Sequence, residues 1–155
     1  MQNIAAGLLM CRQTVDGLNY FLVHPGGPFF KNKDAGAWTI PKGLPEQKED
    51  LITAAQREFF EETGIRPQAP FLDIGSIRQK NGKTVYAWAF AGDWDSSAGI
   101  SSNTFILEWP PKSGRMMEFP EIDKAGWFDY HSALTKIIKE QVPLIDKAVQ
   151  LFQVE

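Results

Sequence analysis

The chain has 155 residues, with 16 Lys and Arg against 19 Asp and Glu for a net charge of −3, and a single cysteine, Cys11. That length fits one domain, 1–155, able to bury around two-thirds of the surface its unfolded form exposes. The acidic balance argues against a sequence-blind duplex binder, which needs a basic stripe, and one cysteine excludes an internal disulfide. With only His24 and His131 beside Cys11 there is no zinc-ligand set. No opening segment has the basic, apolar, small-residue layout of a leader, and no apolar run approaches the ~18 residues of a membrane span. The expectation is a cytoplasmic protein with no membrane partner.

Ile4–Arg12 and Asn19–His24 read as strands joined around Asp16-Gly17. Cys11 sits in the first apolar run and reads as core rather than nucleophile. His24-Pro25-Gly26-Gly27-Pro28 is too rich in turn formers to be regular, and the loop runs on through Phe29, Phe30, Lys31 and Lys33 to Gly36. Trp38–Ile40 reads as a short strand leading into Pro41-Lys42-Gly43. Leu51–Thr63 reads as a helix, with Asp50 as N-cap, Gly64 as C′ residue and Pro67 soon after. Phe71–Gln79 and Thr84–Asp93 read as a hairpin around Asn81-Gly82. Thr104–Trp109 and Ala125–Phe128 are further expected strands, with Pro110–Gly114 a loop between them. Helical stretches at about Ser132–Gln141 and Pro143–Phe152 close the chain. Strands wrapped by a few helices predict an α/β sandwich on a mixed sheet.

The helix over 51–63 carries the chemistry. Glu58, Glu61 and Glu62 stand at i, i+3 and i+4, so their Cβ atoms lie about 5–6 Å apart. On a wheel of about 100° per residue, with Glu58 at zero, Glu61 falls near −60° and Glu62 near +40°. Leu51, Ile52, Ala55, Phe59 and Thr63 spread over roughly +20° to +140°. The carboxylates therefore border the buried face, where a cleft can form. Like charges at this spacing destabilise an isolated helix by a few tenths of a kcal/mol per pair. Spacing alone leaves two readings open, a solvated acidic face and a site for a hard cation that bridges carboxylates to phosphate oxygens.

The wider pattern separates them. From Gly43 the chain runs five residues to Glu49 and seven more to Arg57-Glu58, then apolar Phe59, Glu61-Glu62, Gly64 and apolar Ile65. Seven such identities recur by chance at ~10⁻⁸ per start position. The stretch resembles the Nudix signature at every position, and the chain is identified as a member of the Nudix hydrolase family. HPGGPF, GAWTIPKG, SNTFILEWPPKSGR and EFPEIDKAGWF extend the resemblance to a bacterial Nudix subgroup described as predicted nucleotide pyrophosphohydrolases.

The resemblance implies a Nudix-type α/β/α sandwich with a mixed sheet. It also implies Mg²⁺- or Mn²⁺-assisted hydrolysis of a nucleoside diphosphate linked to another moiety. The family's catalytic and metal positions map onto Gly43, whose carbonyl would face an ion, onto Glu58, Glu61 and Glu62, and onto Arg57 as an orienting residue. Arg57 otherwise reads as an i, i+4 partner of Glu61, and Glu49 as either a helix N-terminal charge or a partner of Arg57. The general base among the glutamates stays open. A further acidic metal ligand before the last strand would be Glu118, with Glu121 close behind; each also reads as merely structural.

Lys42 could meet a phosphate as a point charge, and Lys112 or Arg115 a distal one. Phe29 and Phe30, on a loop where core packing is least expected, are candidates for base stacking, whereas Tyr86, Trp88 and Trp109 read as core or half-buried. The WTIPKG approach is similar to that of dinucleoside polyphosphate hydrolases. No proline occurs from Phe71 to Trp109, where ADP-ribose pyrophosphatases tend to carry one, which lowers that reading. The expected substrate is a small nucleotide, a dinucleoside polyphosphate or a nucleoside triphosphate. A non-catalytic nucleotide sensor and an RNA 5′-end pyrophosphohydrolase are the alternatives, and a homodimer is the expected assembly, if any.

Overall fold

The computed structural model describes residues 3–152, and β1 (Ile4–Thr14) runs through its centre. Ala5 to Cys11 are all buried, the unbroken apolar run of a strand covered on both faces. Alternation along β1 sorts its side chains between two cores. Ala5, Leu9 and Cys11 join the C-terminal helices α2 (Tyr130–Lys136) and α3 (Val142–Phe152), through Ala133, Leu144, Ile145 and Ala148. Ala6, Leu8 and Met10 join α1 (Leu51–Thr63) through Ala54, Ala55 and Phe59. This is the expected α/β/α sandwich.

β2 (Gly17–Pro25) returns antiparallel to β1, and the two-residue β3 (Lys42–Gly43) pairs with the first half of β1, Gly43 opposite Ala6 and Lys42 opposite Gly7. β4 (Leu72–Arg78) and β5 (Thr84–Ala91) form the expected hairpin. β5 lies parallel to β1, which makes the sheet mixed. β6 (Thr104–Glu108) and β7 (Met116–Pro120) form a separate ribbon, and β8 (Ile122–Phe128) closes the sheet against β2, in the order β4-β5-β1-β2-β8. Among the described residues no helix is long and apolar enough to cross a membrane.

One strand lies outside the expected set, and two expectations need correction. Met116–Pro120 is a strand, paired with β6 across a turn that includes Pro110–Gly114. Trp38–Ile40 is not a strand: Thr39 bridges Val23 and Trp38 bridges Ile137. The second bridge also breaks the expected helix over 132–141. Trp38 N–H donates to Lys136 O (2.9 Å) and Ile138 N–H donates to Trp38 O (2.8 Å). Ile137 and Ile138 are thereby held extended, and only a short 3₁₀ turn, Lys139–Gln141, follows.

The ends of α1 set up the site. Asp50 occupies the N-cap position, although its side chain makes no capping bond, and Gly64 takes the left-handed conformation (φ 79°) with its N–H on Phe60 O. Carbonyls in a last helical turn lack intrahelical donors. Here Asn103 N–H donates to Glu61 O (2.8 Å) and Ser101 N–H to Thr63 O (2.9 Å). Glu121 N–H in turn donates to Asn103 O (2.8 Å), so the β6–β7 ribbon is rooted at the acidic end of α1.

Candidate active site

Arg57 organises the carboxylates. Its Nε and Nη2 donate to the two oxygens of Glu49 (both 2.9 Å), its Nη1 to Glu58 Oε2 (2.9 Å) and Glu61 Oε1 (3.2 Å), and its Nη2 also to Leu44 O (3.0 Å). The planar guanidinium thus spans three carboxylates at once, as a lysine cannot. Glu49 is held below the usual carboxylate range by these bonds, and Arg57 is held firmly charged. Glu58 and Glu61 each give Arg57 one oxygen and keep the other.

Gly43 is where a side chain would displace one member of this arrangement. A Cβ built there falls on the Glu58 carboxyl group, so the Glu58 side chain reaches the end of β3 at the spot a Cβ would take. The neighbouring Glu62 accepts a bond from the Lys42 backbone N–H, yet burial pushes its carboxyl up to about 8. Burial likewise raises Glu58, against the opposing pull of Arg57. Lys42 is lowered, first by burial, with Glu62 acting against the shift and the Lys83 ammonium adding to it.

Those carboxyls, desolvated among like charges, are what a cation would relieve. Every donor in the set is a hard oxygen, the chemistry of Mg²⁺ or Mn²⁺. Among the described residues no three His, Cys, Asp or Glu side chains are already gathered into an ion-holding group. The set therefore fits a divalent ion by its donors rather than by a preformed cage.

The structure thus brings Gly43, Arg57, Glu58, Glu61, Glu62 and Lys42 together. It places the other candidates elsewhere. Glu118, on β7, accepts a hydrogen bond from Thr104 Oγ1 (2.5 Å) across the ribbon. Of the two glutamates, it is Glu121 whose charge acts on Glu58, Glu62 and Lys42, behind those of their nearer neighbours. Arg115 stands at the turn end of the ribbon, about 17 Å along the strand from Pro120. Phe29 packs edge-on against the half-buried Trp109 (centroids 5.3 Å apart, 80°), tying the loop to the ribbon. Phe30 is 37% exposed, with Lys33 Nζ 5.6 Å from its ring centroid. The buried His24 anchors that loop: its Nε2 donates to Lys33 O (2.6 Å) and its Nδ1 meets Asp123 Oδ1 (2.8 Å).

Lys83 was not legible in the sequence. Its charge acts on Lys42; the two residues come from β3 and from the start of β5, which flank β1 on opposite sides.

The NUDIX domain family matches residues 1–148. The chain belongs to that family. It is 45% identical over 51 residues to nucleoside diphosphate-linked moiety X motif 6 of Xenopus laevis and to that of Homo sapiens. Those 51 residues are 33% of this chain but only 23% and 16% of the two relatives. Among solved structures, this Nudix chain is similar to a C. elegans Ap4A hydrolase in a binary complex (TM-score 0.67, 22% identity, 95% of this chain and 96% of that one). It is also similar to the NUDIX domain of Shewanella oneidensis NrtR complexed with ADP ribose (TM-score 0.69, 14% identity, 99% and 90%). At these identities the likeness shows the Nudix fold.

Proposed function

We propose that this Nudix chain is a metal-dependent pyrophosphohydrolase. It cleaves a phosphoanhydride bond in a nucleoside diphosphate linked to another moiety, a dinucleoside polyphosphate or a nucleoside triphosphate. The reading is carried by one observation: Arg57 holds Glu58 and Glu61 by a single oxygen each, with the Glu58 carboxyl lying against Gly43. The oxygens left free are available to a cation and to a water proton.

Gly43 O, Glu58, Glu61 and Glu62 would hold the ion, with Glu121 as the further acidic group. A bound Mg²⁺ or Mn²⁺ supplies Lewis-acid neutralisation of phosphate charge. Arg57 fixes the glutamate rotamers, and the Lys42 and Lys83 ammoniums meet phosphate oxygens as point charges. Water attacks phosphorus and the bridging P–O bond breaks. The water proton passes to a free carboxylate oxygen of the trio, and the leaving phosphate departs with the bonding pair.

The test is turnover of a nucleotide panel, with dinucleoside polyphosphates and nucleoside triphosphates, in Mg²⁺ or Mn²⁺. Glu58→Gln, Glu61→Gln and Glu62→Gln should each lose at least ~10²-fold in kcat where the group is ligand or base. No turnover on any member while metal demonstrably binds would overturn the reading. A loss of about tenfold or less in all three variants would overturn the roles.

A further inference from the structure

We propose that His24 carries a proton on each ring nitrogen and that this imidazolium is a positioning residue, a clasp that holds the loop after β2 and Glu121 at the acidic end of α1. The positioning role rests on the hydrolase reading; the two protons do not. None of the groups in the chemistry above comes from HPGGPF, residues 24–29, whose histidine is fully buried. Its Nδ1 lies 2.8 Å from Asp123 Oδ1 and its Nε2 2.6 Å from Lys33 O. A backbone carbonyl can only accept, and so can an ionised carboxylate. A ring with one proton would set a nitrogen lone pair against an oxygen lone pair at one of these two short contacts. The ring is out of reach of water, so nothing else could satisfy that oxygen's lost donor. Two protons satisfy both contacts, and the carboxylate matches the charge they bring.

A β-bulge brings the carboxylate to the ring. β2 and β8 pair His24 with Lys124 but the next residue, Pro25, with Ile122, which leaves Asp123 as the extra residue. Ala125 and Ile122 both pack in the α1 core although they are three positions apart, so the alternation slips by one between them. Lys124 and Asp123 therefore both face the other side of the sheet. There Lys124 Nζ stands 5.8 Å from the Trp38 ring centroid, and Trp38 packs edge-on against His24 (centroids 5.4 Å apart, 67°). A regular strand would turn the Asp123 carboxylate away from His24. The remaining charges beside Trp38 are already paired, since Asp34 accepts from Trp38 Nε1 and from Lys136.

Backbone bonds join the clasp to the acidic end of α1. Gly26 N–H donates to Glu121 O, Glu121 N–H to Asn103 O and Asn103 N–H to Glu61 O, each at 2.8 Å. The glycines of the motif permit that approach. A Cβ at Gly26 would fall on Pro120 O, and one at Gly27 (φ 95°) would lie 2.8 Å from Phe105 Cζ. Phe29 then packs on Trp109. Loop and ribbon thus move as one unit, fixed to the sheet where His24 sits between Lys33 and Asp123. Glu121, whose charge acts on Glu58 and Glu62, stands two residues from that fixed point.

The first measurement needs no metal and no substrate. By NMR on the isotope-labelled full chain, His24 should show two ring N–H protons that exchange slowly with water. The exposed His131 should show none, and His131→Gln should leave both signals in place. A single slow ring N–H on His24, as either neutral tautomer or a proton moved to Asp123 would give, would overturn the clasp. The second measurement is calorimetric Mg²⁺ titration of wild type, Asp123→Asn, His24→Gln and the double variant, below their melting points. Each single variant should bind Mg²⁺ about tenfold more weakly. The double variant should lose no more than the worse single one, because both changes open the same clasp. Mg²⁺ affinity within about twofold of wild type, with only Tm lowered, would overturn the positioning role. If His24→Gln does not fold, Asp123→Asn decides, since that side chain is partly exposed. Wild type that binds no Mg²⁺ would overturn the positioning role together with the hydrolase reading. Wild type that binds Mg²⁺ but turns over no nucleotide would overturn the hydrolase reading alone, and the ring protons with the Mg²⁺ losses would still establish the clasp.

Discussion

Replacing Arg57 by alanine removes the group on which the carboxylate arrangement depends. The wild-type guanidinium makes four bonds to Glu49, Glu58 and Glu61 at 2.9–3.2 Å, and a fifth to Leu44 O. Arg57 is 22% exposed, with Glu49 at 12% and Glu58 at 14%, so their loss is felt in a poorly solvated place, whereas Glu61 at 37% is screened by water. Truncating one partner of a charged hydrogen bond costs roughly 1.5–3 kcal/mol, and residual water access around the three acids limits the total to about 2–4 kcal/mol. For a chain of this size each kcal/mol moves Tm by about 2–4 °C, so Arg57→Ala should melt roughly 5–15 °C below wild type in chelator. Mg²⁺ replaces some of the lost positive charge and should stabilise the variant more than wild type. Displaced Glu58 and Glu61 should lower kcat by ~10–10²-fold, and Arg57→Lys should fall between, because one ammonium cannot span three acids. Thermal unfolding with and without Mg²⁺, alongside initial rates, gives the answer. Arg57→Ala melting within about 1 °C of wild type, with kcat within about threefold, would refute the reasoning.

Gly43→Ala places a methyl on the Glu58 carboxyl and pushes that side chain aside, so it should weaken Mg²⁺ binding and remove most of the turnover while melting close to wild type, read by calorimetric Mg²⁺ titration, initial rates and unfolding. Gln141→Leu leaves the Ile40 N–H without its acceptor, and should destabilise by about 1–3 kcal/mol in denaturant unfolding. Cys11 is buried and its thiol is pushed up to about 12. The thiolate is the reacting form, so at pH 8 a thiol reagent should modify native protein far more slowly than urea-unfolded protein; equal rates would contradict the burial.

Helical periodicity is local, so the sequence by itself determined what it governs: the bounds of α1, the shared face of Glu58, Glu61 and Glu62, and the reach of Arg57 toward Glu61. Cys11 and the run around it were legible for a similar reason, since a strand covered on both faces is apolar throughout. What depends on distant segments meeting was decided by the tertiary structure. Trp38 bonds across Ile137 and splits a helix whose own residues favour continuing it. Glu118 and Glu121 are indistinguishable in composition, yet ribbon pairing ties one to Thr104, while Asn103, held by the α1 carbonyl of Glu61, brings the other beside the acids. Lys83 lies 41 positions from Lys42, and its charge acts there because β5 and β3 both flank β1. A pattern along the chain records which face a residue takes, but pairing between strands sets which residues from other segments share its space.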